Sequence, residues 1–502
     1  MRITATHITV DPRDELAWKA ICEWPSRSNI NFSDYTDDYA ELTRWFLWDK
    51  VGRAIRFSSD SQSFALERKL FEVSNCLPGT STFTSSFDRT RLTTQLSSFF
   101  SFFRKKPEQQ IQHVSDFIRR KGPLVYVPVL SGRLKNAAGE LIRENMCQVA
   151  TGYCETIEGA AVFRPNVTVH PDDDVTMMLY NAIIDGLKGF DITLMSCDKA
   201  MLRTQISTLT SHVKYVRAEL ETLEPDAIIV HGDNHPPFQA YVLSARKMGI
   251  PVIMLQHGLD CEHRYLDEAY ASNIAVWGGE RLTRYRNKSI WQPHISVTGN
   301  PEYDCLRPPS KIDPAGNYWL WLTRPHTPEK CYAPSRTPDE GLALFYALID
   351  AVKKSPGSRL VIKAHPYDYA ALYGRLILEQ GLHDVVEISG QTVQELVPHA
   401  SLIITEDSSA GLDALFAGKP VVHAHFVESA PVIPFVEYGA ALPGFTKEQL
   451  VESILRISAF DYEQAQGFLA GQVQFIRDFA GLCDGNAGKR FVQYVSEIIC
   501  QK

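Results

Sequence analysis

Two groups of residues have types and spacing suited to chemistry, and the more legible one suits phosphate. Lys363 and His365, followed by Pro366, stand at the end of the apolar run Arg359-Leu-Val-Ile. Ser408, Ser409 and Gly411 follow the second such run, Ser401-Leu-Ile-Ile-Thr405. Next comes Leu412-Asp-Ala-Leu-Phe-Ala417, with helical spacing up to a glycine stop at Gly418, and then a further strand, Lys419-Pro-Val-Val-His423. A Ser-Ser-x-Gly turn between strand and helix aims hydroxyls and backbone N–H groups at an anion. Arg324, just past Tyr318-Trp-Leu-Trp-Leu-Thr323, adds a cation. A serine before a helix is also an ordinary cap. K-x-H-P and S-S-x-G at successive strand ends of one sheet favour the phosphate reading.

The second group lies upstream and is acidic. Asp226-Ala-Ile-Ile-Val breaks at His231-Gly232 and delivers Asp233 to a strand's carboxyl end, where parallel sheets bind ligands. After a helix from Phe238 to Met248, the run Ile250-Pro-Val-Ile-Met-Leu255 ends in Gln256, His257 and Gly258, the glycine permitting close backbone approach. Two adjacent parallel strands therefore present Asp233, Gln256 and His257 at one edge. Thr151-Gly-Tyr-Cys-Glu-Thr-Ile-Glu-Gly159 offers Glu155 and Glu158 as further carboxylates for acid–base work, although a solvated surface charge is the commoner fate. His231 and His235 lack a recurring ligand spacing, and no C-x-x-C pair occurs among the 10 cysteines. No metal is expected, with Arg324, Lys363 and His365 taking an ion's place beside phosphate.

These residues need a scaffold that brings strand ends to an edge. Strand and helix patterns alternate from Gly122 onward, beginning with Pro123-Leu-Val-Tyr-Val-Pro-Val-Leu130, and 502 residues exceed a single core. The expected fold is α/β, with two Rossmann-type doubly wound domains and a helical N-terminal elaboration. Residues 1–120 form the elaboration, 121–306 an N-terminal catalytic or acceptor domain, 317–465 a donor-binding domain and 466–502 C-terminal helices that cap it or cross back. The polar, proline-rich stretch Arg307-Pro-Pro-Ser-Lys-Ile-Asp-Pro-Ala-Gly316 marks the boundary.

A hydrophobic content of 44% with 22% charged residues is globular usage, and a net charge of −8 argues against nucleic acid as a partner. Scattered cysteines and the lack of an apolar leader or spanning run lead to the expectation of a cytoplasmic protein. One segment, Ser97-Ser-Phe-Phe-Ser-Phe-Phe-Arg-Lys-Lys106, sets aromatics beside cations and suits peripheral contact with the inner membrane; a buried helix end with a basic tip is the alternative.

Taken together, the two halves resemble a GT-B glycosyltransferase. More narrowly, Asp233, Gln256-His257-Gly258, Gly299-Asn-Pro301 with Asp304, Lys363-x-His365-Pro366 and Ser408-Ser409-x-Gly411 resemble the bacterial retaining β-Kdo transferases of capsule and O-antigen assembly. The resemblance covers residues 226–425. It implies a CMP-Kdo donor, a saccharide or lipid-linked glycan acceptor, His365 and the serine turn on the CMP phosphate, and Asp233 as the catalytic carboxylate. Glu158 is assigned as acid/base from its place in the first domain. A CMP-sialic acid transferase, a CDP-polyol-phosphate transferase and a non-catalytic GT-B scaffold are the competing expectations.

Overall fold

The computed structural model describes residues 12–30, 36–56, 119–130, 132–154, 157–163, 165, 167–233, 237–259, 270–288, 292–324, 338–365, 368, 370–426 and 431–500. Among them two sheets stand out, each with every pairing parallel. The first holds β1 (Leu124–Leu130), β2 (Gln148–Cys154), β3 (Ala161–Val162), β4 (Ala227–Val230), β5 (Val252–Leu255), β6 (Asn273–Val276) and β7 (His294–Val297), in the order β3-β2-β1-β4-β5-β6-β7. The second holds β8 (Tyr318–Leu322), β9 (Leu360–Lys363), β10 (Val386–Ile388), β11 (Ala400–Thr405), β12 (Val421–Ala424) and β13 (Leu442–Gly444), in the order β10-β9-β8-β11-β12-β13. Both orders run 3-2-1-4-5-6, with a seventh strand added at the end of the first, the doubly wound arrangement whose direction reverses between the first and fourth strands.

Among the described residues the helices of more than one turn are α1 (Pro12–Arg27), α2 (Thr36–Arg56), α3 (Gly132–Glu144), α4 (Asp173–Lys188), α5 (Ser196–Leu223), α6 (Phe238–Lys247), α7 (Gly279–Lys288), α8 (Pro338–Lys354), α9 (Ala370–Glu379), α10 (Gly411–Phe416), α11 (Lys447–Ser458), α12 (Leu469–Ala480) and α13 (Ala487–Ile499). Strand side chains alternate between faces, and the two cores divide accordingly. Tyr126, Ile228, Val230, Val252, Met254 and Ile274 meet helices α1, α2, α4, α5 and α6 on one face of the first sheet. Val125, Val127, Ala227, Ile229, Ile253 and Leu255 meet α3 and α13 on the other. A strand buried on both faces must be apolar throughout, which is why Ala-Ile-Ile-Val and Val-Ile-Met-Leu carry no polar residue.

The second sheet repeats this division. Trp319, Trp321, Leu360, Ile362, Leu402 and Ile404 pack under α8 and α11. Leu320, Val361, Ile403 and Val421 share a cluster with Leu259, Trp277 and Tyr303 of the first half and with Phe475 and Phe479 of α12. That shared cluster joins the halves.

The last helices separate rather than act together. While α12 lies in the joining cluster, α13 returns to the first sheet through Phe491, Val492, Tyr494, Val495, Ile498 and Ile499. Its first turn is held by Asp304, whose carboxylate accepts from Ala487 N and Gly488 N, both at 2.8 Å. An acid accepting free amides at a helix start offsets the unsatisfied donors there. Asp304, matched above to a glycosyltransferase motif, thus anchors the returning chain.

Upstream, α1 and α2 bury Trp24, Phe46, Leu47 and Trp48 in the first core. The phenylalanine and cation segment 97–106 lies outside the described residues. Among the described residues no helix is long and apolar enough to cross a membrane.

Candidate functional site

Because all strands in each sheet are parallel, the loops after them collect along one edge. In the first sheet β4 leads into His231-Gly232-Asp233 and the neighbouring β5 into Gln256-His257-Gly258-Leu259. In the second, β8 leads into Thr323-Arg324, β9 into Ala364-His365, and β11 into Glu406-Asp407-Ser408-Ser409. The K-x-H and S-S-x-G ends are not neighbours: β8 separates β9 from β11. The two edges meet, since Leu259 N, next to the Gln-His-Gly turn, donates to Ser409 Oγ at 2.9 Å.

Asp233 sits at the reversal point of the first sheet, at 3% exposure. Its Oδ2 accepts from Ala271 N at 2.8 Å. Burial raises its pKa to about 7 even though the Ala271 and Tyr270 amides favour the charged form. The same loop is tied outward: Arg246 donates to Tyr270 O at 2.6 Å, and Tyr270 Oη donates to Glu41 of α2 at 2.7 Å. The N-terminal helices therefore support the segment that grips Asp233, a connection across more than 200 residues that spacing does not show.

Gln256 is buried, and both ends of its amide are engaged. Trp277 N donates to Oε1 at 2.8 Å, and Nε2 donates to Gly258 O at 2.7 Å. It stands at the strand end, as expected, with its side chain holding the turn. His257 is exposed and stacks on His231 with ring centroids 5.2 Å apart, while His231 packs edge-on against Phe238 at 4.4 Å. Glu158 is exposed on a turn at the outer side of β2, with β2 and β1 between it and β4. Nothing places it near Asp233. Glu155, His235 and Pro366 lie outside the described residues.

On the opposite edge Lys363 and His365 are half-buried, and His365 N donates to Thr323 Oγ1 at 2.9 Å, drawing the ends of β9 and β8 together. Arg324 Nη1 lies 3.6 Å from Asp407 Oδ2, so part of its charge is matched within the protein. The turn itself differs from expectation. Gly411 N and Leu412 N donate to Ser408 O and Ser409 O, both at 3.0 Å, so the amides at the start of α10 are not free. Ser408 Oγ accepts from Ala410 N at 3.3 Å. Both hydroxyls thus act as acceptors, and each keeps its proton to donate to a ligand. Gly411 answers to packing: a Cβ there would meet Phe435 Cζ at 2.6 Å.

The sequence reading missed one group. Asp407 is fully buried, with Val432 N and Ile433 N donating to its Oδ1 at 3.2 and 3.0 Å. His423 Nε2 lies 3.2 Å from Oδ1 and His425 Nδ1 lies 2.9 Å from Oδ2. Burial opposes ionisation, but His423 and His425 outweigh it and hold the carboxyl far below the usual carboxylate range. The available signal was the His-x-His spacing, which places two imidazoles on one face of a strand.

This architecture has counterparts. The complex of MnaA with UDP from S. aureus superposes with a TM-score of 0.50 at 15% identity, over 76% of this chain and 98% of that one. A putative UDP-N-acetylglucosamine 2-epimerase from Listeria monocytogenes matches with the same TM-score, identity and coverage. The family of capsule polysaccharide biosynthesis proteins matches residues 342–425, the stretch holding the Lys363–His365 and Ser408–Gly411 motifs. No curated protein matches the chain. The chain has a GT-B fold of two parallel-sheet α/β domains, with a helical N-terminal region.

Proposed function

We propose that this protein transfers a sugar from a nucleotide donor to a bacterial surface-polysaccharide or glycolipid acceptor, and that the sugar is Kdo from CMP-Kdo, moved with retention. The observation that carries the reading is the 2.9 Å contact of Leu259 N with Ser409 Oγ, which sets the Asp233 side opposite the hydroxyl and cation side. The capsule-family match over 342–425 supports the polysaccharide context. The motif resemblance supports Kdo.

In this mechanism Lys363, His365 and the serine hydroxyls hold the donor phosphate, Arg324 contributing the charge that Asp407 leaves unmatched. Ionised Asp233 attacks the anomeric carbon, the bond to the phosphate oxygen breaks, and CMP departs. The acceptor hydroxyl then displaces the glycosyl-aspartate, and two inversions give retention. His257, exposed on His231 beside the Asp233 turn, is the better placed base for the acceptor proton than Glu158.

A donor panel tests the reading: CMP-Kdo, CMP-sialic acid, CDP-glycerol and UDP-N-acetylglucosamine, each followed by nucleotide release. Release from CMP-Kdo alone supports it. Turnover of the uridine donor, the nucleotide named in the S. aureus complex, would replace the Kdo assignment. The burial of Asp233 favours a second reading, a GT-B scaffold in which this residue only holds the Tyr270–Ala271 loop. Intact-protein mass spectrometry separates the two: a sugar adduct on the peptide containing Asp233 rejects the scaffold.

A further inference from the structure

We propose that Asp407, His423 and His425 form a binding site for a divalent transition-metal ion of the zinc class, set behind the serine turn. The register of β11 on β12 pairs Thr405 with His423, so Asp407, two residues beyond Thr405, comes level with His425. Residues two apart share a face of a strand, which brings both imidazoles to the same carboxylate. All three side chains are buried, and one ligand atom from each lies within 4.8 Å of the others.

The contacts have the distances of hydrogen bonds without their directions. Neither Asp407 Oδ2 nor either ring nitrogen of His423 has a hydrogen bond of acceptable geometry, although Asp407 and His423 approach to 3.2 Å. A fully buried imidazole in that state loses its solvation and gains nothing from hydrogen bonding. Ligation removes part of that cost. Neutral imidazole and carboxylate are zinc's ordinary nitrogen and oxygen ligands, at about 2.0 to 2.2 Å, and three of them leave one position open. The backbone amides of Val432 and Ile433 occupy Oδ1, which leaves Oδ2 for the ion.

The site follows β11 and directly precedes Ser408. An ion there would pin β11 to β12 and, with Arg324 3.6 Å from Oδ2, add positive charge behind the hydroxyls. It is distinct from a magnesium ion among donor phosphates, and the proposal does not depend on the identity of the donor.

The test uses the full chain. After dialysis against zinc and passage into metal-free buffer, the wild type should retain about one zinc per chain by elemental analysis. Cobalt(II) in its place should give the visible absorption of a low-symmetry nitrogen and oxygen site, without thiolate charge transfer. Asp407→Asn and His425→Gln should each lower retained zinc at least about tenfold, with folding checked by circular dichroism, while Ser409→Ala retains it. Variants that hold as much zinc as the wild type would overturn the proposal. If both variants unfold, the wild type decides: no retained zinc, or a cobalt spectrum dominated by cysteine thiolate, overturns it and leaves a metal-free His–Asp–His contact.

Discussion

Asp233 and Asp407 occupy corresponding places in the two halves and end in opposite electrostatic states. Each lies just past the strand across its sheet's reversal point, β4 and β11, and each is buried. Asp233 meets backbone amides, with Arg246 acting only at longer range, and burial raises it to about 7. Asp407 meets His423, His425 and Arg324, and is held far below the usual range. Burial is common to both, so the neighbouring charges decide. One half thereby holds an acid that ionises near neutral pH, the other an anion set between two imidazoles and a guanidinium.

The largest expected effect would break the comparison at its reactive side. Asp233→Asn should lower turnover at least about 1000-fold, as loss of a covalent nucleophile does. The fold and CMP binding should survive, because the amide can still accept from Ala271 N. Single-turnover CMP release checks this, and near-wild-type turnover would remove Asp233 from the chemistry.

The same residue predicts a pH dependence. Attack requires the carboxylate, so kcat/KM should rise through about pH 7. Stability runs the other way. A carboxyl whose folded pKa is raised binds a proton in the native state that the unfolded state has released. Its contribution is present at low pH and is lost as pH rises from about 4 to about 7. Glu219, also raised to about 7 by burial, acts in the same direction. Urea denaturation across this window should therefore show falling stability, with a shallower fall in Asp233→Asn.

On the cationic side, His365→Ala should weaken CMP binding by about 10- to 150-fold, the equivalent of losing one charge-assisted hydrogen bond worth roughly 1.5 to 3 kcal/mol. Ser409→Ala should do less, since a neutral hydroxyl's hydrogen bond is worth less than a charge-assisted one. Titration calorimetry with CMP measures both, and wild-type affinity in the histidine variant would move the phosphate site elsewhere.

Next in size is a test of packing behind the donor turn. Gly411→Ala puts a methyl against Phe435 at 2.6 Å and should destabilise by about 1 to 3 kcal/mol, read by thermal or urea unfolding. Pairing it with Phe435→Leu should recover part of that loss if the clash is the cause. The smallest effect belongs to Glu158→Gln, a change at an exposed turn, which should leave kcat/KM within about threefold. A loss of 100-fold or more there would restore Glu158 as the acid/base.

Much of this protein was determined by the sequence alone. Apolar runs of strand length alternating with helical periods require parallel sheets buried on both faces, because strands with no polar side cannot face water. Each run ends at residues such as Gly232, Gly258 and Ser408, so the functional edges were visible as breaks in the pattern. The spacing also fixed which side chains follow which strand.

Only the tertiary structure decided which of those side chains remain available. Gln256 and Asp304 have types suited to a site, yet their hydrogen-bonding atoms are engaged by Trp277 and Gly258 and by the first turn of α13. Arg324 follows its strand in the sequence, and only the structure sets Asp407 3.6 Å from it. Asp407 gains its meaning from His423 and His425, partners that strand register supplies from 16 and 18 positions away. Local periodicity governs where a residue sits on its own strand. Hydrogen-bond partners and pKa shifts arise from atoms a few ångströms away in space, and that proximity is set by packing between elements far apart in the chain.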